Sequence, residues 1–188
     1  MDTGTADEQL MLRYQQGEHR AFELLYTRHK GALYRYFLRH CGSAAAAEEL
    51  FQDVWVNLIR SRERYQVRAK FTTYLYRMAH NRLVDHYRRH SRNPGVSFDD
   101  HSNPTIENFA APDREQPEQR LVHNRTIDKL KQLIAALPPA QREAFLLREE
   151  GGLSLDEIAE VTDVGREAAK SRLRYAVARL RKGLVETG

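Results

Sequence analysis

The chain has 188 residues, 41% hydrophobic and 30% charged, a balance that suits ordered globular structure with room for one domain or two small ones. Its 30 Lys and Arg stand against 26 Asp and Glu, and its single cysteine, Cys41, excludes an intrachain disulfide. The amino-terminal MDTGTADEQLMLRY lacks a basic-then-apolar signal pattern and no run approaches membrane-spanning length, so a cytoplasmic chain without membrane insertion is expected.

The charge is unevenly spread. Residues 1–92 hold 16 basic against 10 acidic side chains, residues 93–120 hold 2 against 6, and residues 121–188 hold 12 against 10. A basic front half followed by an acidic spacer points to a polyanion partner more strongly than the total does.

The first elements read as successive helices. Leu10, Tyr14, Ala21, Phe22, Leu25, Tyr26, Leu33 and Phe37 recur three and four apart, with no competing strand-like alternation. Gly17 and Gly31 are the expected soft points, and Ser43 the expected cap of the next helix. Cys41 is expected to be a small buried side chain.

AAEELFQDVWVNLIR, residues 46–60, is strongly amphipathic. Ala47, Leu50, Phe51, Val54 and Leu58 form the core stripe; Glu49, Gln52, Asp53 and Val56 face the other way, with Asn57 beside them. Composition alone allows a merely solvated acidic face, but an apolar Val56 among carboxylates and amides also suits a protein-docking patch.

RSRERYQVRAK, residues 60–70, carries five basic residues with little apolar anchoring and reads as a mobile, phosphate-seeking loop. A helix from about Thr72 to Arg89 then buries Leu75, Met78, Ala79, Leu83 and Tyr87. It presents Tyr74, Arg77, Asn81, Asp85 and Arg88 on or beside another surface. Tyr65, Phe71, Tyr74 and Tyr76 are interleaved with arginines, the mixture single-stranded nucleic acid requires: charge tracks the backbone and rings stack on unpaired bases. The plainer alternative is a core aromatic cluster with ordinary surface arginines. His86 and His90 are four apart, but no third ligand accompanies them, so no metal or other cofactor is expected.

From Asn93 to Gln119 four prolines and few aliphatics mark a linker that cannot bury a core. Helical periodicity resumes near Leu121. Glu149 and Glu150 read as surface charge ahead of a Gly-Gly break. Ser154 and Glu157 form a capping-box signature. Asp163-Val164-Gly165 then reads as a turn in which Asp and Gly both accept left-handed backbone angles, before a helix from about Arg166 to Arg181. Ala169, Leu173, Ala176 and Leu180 are its buried positions; Arg166, Lys170 and Arg174 share another face, flanked by Ser171 and Arg172. This is a helix-turn-helix pattern, whose second helix suits a major groove. A solvated basic face on a packing helix is the plain alternative.

These motifs, in this order, resemble the extracytoplasmic-function sigma factors, the small two-domain bacterial initiation factors, over about residues 8–92 and 121–183. The resemblance implies an all-α chain that is not an enzyme. A domain over residues 1–92 would bind core polymerase and the −10 element, 93–120 would be an irregular acidic linker, and 121–188 would be a helix-turn-helix domain for the −35 element. It implies that Glu49, Gln52, Asp53, Val56 and Asn57 dock on the clamp of the polymerase largest subunit. Arg62, Arg64, Tyr65, Arg68, Lys70 and Phe71 would begin the −10 surface; Tyr74, Arg77, Asn81, Arg82, Asp85 and Arg88 would complete it. Arg166, Glu167, Ala168, Lys170, Ser171, Arg172, Arg174 and Tyr175 would read the −35 element. Expected partners are core RNA polymerase, including its flap, promoter DNA and an anti-sigma factor. The chain departs from the family pattern at Glu167-Ala168-Ala169, where Gly-Thr-Val is common, and at Tyr74, where tryptophan is frequent. A duplex-binding helix-turn-helix regulator is the competing class, and a plain interaction module a third; neither needs this front half.

Overall fold

In the computed structural model, which describes residues 4–91 and 117–186, every helix or strand assigned among these residues is helical, as the apolar spacing predicts. The front unit comprises α1 (Asp7–Gln15), α2 (His19–Cys41), α3 (Ala44–Ser61), a 3-10 turn (Arg62–Arg64) and α4 (Phe71–Ser91). Gly17, at φ +100°, makes the expected break between α1 and α2. Gly31 does not: it continues inside α2, where intrahelical bonding tolerates it. The α2 helix closes on left-handed Gly42, and Ser43 then caps α3 by accepting from the Ala46 N–H at 3.4 Å.

Helix α3 buries Ala47, Leu50, Val54 and Leu58 as expected, and Trp55 with them. Phe51, expected in the core, is only partly buried. It sits at the rim of an aromatic cluster in which Trp55 meets Tyr26 at 5.0 Å and Phe22 at 5.8 Å, edge to face. Cys41 is buried, and burial pushes its thiol up to about 12 against a smaller opposing effect of Arg142, which makes it inert.

The second unit comprises α5 (Pro117–Ala135), α6 (Pro139–Glu149), α7 (Leu155–Thr162) and α8 (Arg166–Val185). Helix α5 begins ahead of Leu121, within the stretch read as linker; the rest of that stretch, residues 93–116, lies outside the described residues. Between α6 and α7 only glycine fits at 151, since an added Cβ would lie 2.7 Å from the Leu147 carbonyl oxygen and 2.6 Å from Leu153 Cδ1. The capping box forms in full: Ser154 Oγ accepts from the Glu157 N–H at 3.3 Å, and Glu157 Oε2 accepts from the Ser154 N–H at 2.7 Å. Asp163 takes the left-handed turn at φ 52°, ψ 50°. Gly165 differs from expectation, because it is the extended N-cap of α8 at φ −67° and needs no positive angle.

The two units share one continuous apolar cluster, with α7 against α4 and both α5 and α6 against α2. This docking explains a further departure. Glu150, read as surface charge, is largely buried and accepts pairs from Arg35 at 2.9 Å and Arg39 at 3.1 Å. Sequence spacing cannot show a partner more than a hundred residues away.

Candidate nucleic-acid interface

The surface beside α4 begins with how its loop is held. Tyr65 is only 4% exposed and plugs the loop into the front unit, while Gln15 Nε2 donates to the carbonyls of Glu63 (2.9 Å) and Tyr65 (3.1 Å). Arg62 lies over the Tyr14 ring at 5.5 Å. The segment expected to be mobile is therefore anchored, and its cations are presented from a fixed base. The α4 amino terminus is capped from α1, where Glu8 Oε1 accepts from the Phe71 N–H at 2.6 Å.

Arg64, Tyr65, Gln66, Arg68, Ala69, Thr73, Tyr74 and Arg77, with Glu160 of α7, line an open cavity of about 330 Å³. The Tyr74 ring meets the Tyr65 ring edge to face at 5.1 Å, and its hydroxyl lies 3.0 Å from Ser61 Oγ. Two hydroxyls in the wall, Tyr65 OH and Thr73 Oγ1, are buried without a hydrogen-bond partner among the described residues. Burial, then the nearby Glu8, Tyr74 and Asp7, push the Tyr65 phenol up to about 12, so it stays a neutral donor. Neither hydroxyl reaches the open space, so what the cavity offers to a base and its phosphates is the partly exposed Tyr74 with the exposed Arg64, Arg68 and Arg77.

The expected −10 residues divide by exposure. Arg64, Arg68, Lys70, Arg77, Asn81 and Arg88 are exposed, and Arg62, Tyr74, Arg82 and Asp85 are partly so. Arg88 lies 3.4 Å from Asp85 within the helix. Phe71 is fully buried with its ring 5.3 Å from His29, so it supports the surface from beneath instead of contacting a ligand. Tyr76 is likewise core, against Tyr36. Gln66 and Thr73 escaped the sequence reading, because neither a loop glutamine nor a helical threonine stands out before the cavity exists. His86 is buried beside His90; burial, then His90, push its pKa down, and no group of three or more metal-ligating side chains exists among the described residues.

On α3, Glu49, Gln52, Asp53 and Val56 are exposed, Val56 at 42%, and Asn57 is partly buried. Ile59, also exposed, extends this apolar patch one turn on; its i,i+3 spacing from Val56 could have flagged it.

In the helix-turn-helix, Arg166, Glu167, Ala168, Lys170, Arg174 and Tyr175 are exposed on α8. Arg166 pairs with Asp156 at 2.7 Å, Lys170 with Glu167 at 3.7 Å, and Arg174 lies over the Tyr175 ring at 5.0 Å. Ser171 is half-buried. Arg172 turns toward the front unit and lines a second cavity of about 200 Å³ with His40, His80, Leu83, Val84 and Tyr87, so in this arrangement it is not on the free face.

Comparison with known proteins bears on the whole chain. Residues 25–93 match the family model of sigma-70 region 2, and residues 127–180 that of sigma-70 region 4. The RNA polymerase sigma-H factor of Pseudomonas aeruginosa is 30% identical over 188 residues, covering 98% of this chain and 96% of its own. The ECF RNA polymerase sigma-E factor of Haemophilus influenzae is 29% identical, covering 89% of each. Among solved structures, CnrH in complex with the cytosolic domain of CnrY shares the fold, with a TM-score of 0.67, 23% identity, and coverage of 98% of this chain and 100% of that one.

Proposed function

The chain belongs to the extracytoplasmic-function sigma factors of RNA polymerase, and from that premise we propose how its surfaces divide the work of promoter-specific initiation. The exposed face of α3, from Glu49 to Ile59, docks on the clamp of core polymerase. The α4 surface and the anchored loop before it hold the opened −10 strand. The exposed face of α8 reads the −35 element. Sigma factors are initiation subunits and not enzymes, so strand opening is driven by binding: contacts to the freed strand must offset lost pairing and stacking. Among the described residues no helix is long and apolar enough to cross a membrane, and the factor acts where polymerase and DNA are. An anti-sigma factor is a further partner in this reading, by analogy with CnrH, which was solved with the cytosolic domain of CnrY.

The observation that carries the reading is the cavity beside α4. It is lined by the exposed Arg64, Arg68 and Arg77 and by the partly exposed Tyr74. Such a set suits an unpaired base better than a duplex groove, where a side-chain pocket has nothing to enclose. Substituting Tyr74→Ala or Asn81→Ala tests it. Each variant is expected to cut open-complex formation, read by permanganate reactivity of unpaired thymines, about tenfold or more while leaving core-polymerase affinity within about twofold. Equal loss of both readouts would count against a strand-holding role.

A further inference from the structure

The amino-terminal turn of α8 is the end that reaches base edges when the second helix of a helix-turn-helix enters a major groove. Arg166, Glu167 and Ala168 are exposed there, whereas Ala169 is fully buried against the rest of the unit. Arg166 is drawn back toward α7, where Asp156 Oδ1 lies 2.7 Å from its Nε. Ala168 ends in a methyl group. Of these three, Glu167 therefore supplies the polar group available at the tip, with its side chain 79% exposed. Lys170, almost one turn on, places its Nζ 3.7 Å from Glu167 Oε2.

A carboxylate brought against DNA is repelled by the phosphates, so its presence at a reading tip needs a specific return. An ionised carboxylate can only accept hydrogen bonds. In the major groove guanine presents two acceptors, and thymine an acceptor beside its methyl group. Adenine sets an acceptor, N7, next to its amino group. Cytosine alone presents an amino donor with no acceptor of its own beside it.

We propose that Glu167 sets base choice in the upstream element by accepting from the exocyclic amino group of a cytosine, with Lys170 offsetting its charge against the neighbouring phosphates. The inference rests on the reading of α8 as the −35 helix. An acid in the first turn also favours the helix itself, through its dipole, but that effect leaves the choice of base untouched.

The test uses the full chain in holoenzyme with core polymerase, on a promoter that it transcribes and whose upstream element has been randomised. Bound templates are selected and sequenced for wild type, Glu167→Ala and Glu167→Gln. The wild-type factor is expected to favour cytosine about tenfold at one position of the element. Glu167→Ala should abolish that preference. Glu167→Gln should replace it with adenine at the same position, because an amide matches the donor and acceptor at N6 and N7. Core-polymerase affinity should stay within about twofold of wild type for both variants, since the side chain is exposed. Wild-type preferences that respond to neither substitution would overturn the role of Glu167, even if Glu167→Ala lowered the melting temperature as a helix-stabilising residue would. If the wild-type factor shows no preference anywhere in the randomised element, the α8 reading falls as well.

Discussion

Glu143 shows how a single side chain acquires a role that no local pattern announces. Burial alone would raise its carboxyl, yet His40 Nε2, 2.9 Å from Oε2, and His80 Nδ1, 2.9 Å from Oε1, outweigh that and hold it at about 2, below its ordinary 4.5. A depressed carboxyl stabilises the folded arrangement above its unfolded value, and that contribution disappears as pH falls through the folded one. The melting temperature of wild type should therefore exceed that of Glu143→Gln at pH about 6, where the imidazoles can still carry charge, by a margin that shrinks as pH falls toward about 2. A margin independent of pH in this window would contradict the pairing. Tyr65 makes the converse case. Its hydroxyl has no partner among the described residues, so Tyr65→Phe should leave the melting temperature nearly unchanged. Tyr65 was legible as a member of an aromatic–basic segment. That its ring is an anchor and its hydroxyl a cavity wall was not, because both depend on Gln15 and Thr73, distant or unremarkable in sequence.

The helices themselves were legible wherever local chemistry decides. Ser154 and Glu157 announced the start of α7, and Ser43 that of α3, because a capping side chain acts within three residues. Ser154→Ala should accordingly lower the stability of the second unit by about 1 kcal/mol, measurable by chemical denaturation. At Asp163 a left-handed backbone costs a non-glycine residue free energy, so Asp163→Gly should be neutral or stabilising by up to about 1 kcal/mol in the same measurement. What spacing could not show were features decided by another element. The α4 amino terminus is capped by Glu8 from α1, Gly31 is carried through α2, and Arg172 is drawn off the exposed face of α8 toward the front unit. The exposed face of α3 was readable as an amphipathic pattern, and only its extension to Ile59 came from exposure.

Across the whole molecule, the two-unit organisation followed from the compositional break between residues 93 and 119 and from the basic bias of the front half. The closed relation of the units did not, since its ion pairs join residues such as Arg35 and Glu150, or Lys70 and Glu157, that no periodicity connects. The charge distribution then acquires a second meaning. The basic surface that would attract DNA also attracts the acidic edge of the chain's own second unit. The central claim is that this chain gives core RNA polymerase promoter specificity. Run-off transcription from a promoter library, with core polymerase in the presence and absence of the protein, tests it most directly. Transcripts from a discrete promoter class are expected only when the protein is added. Absence of core binding and of added transcripts, together with tight duplex binding by the free chain, would contradict it and identify a plain DNA-binding regulator instead.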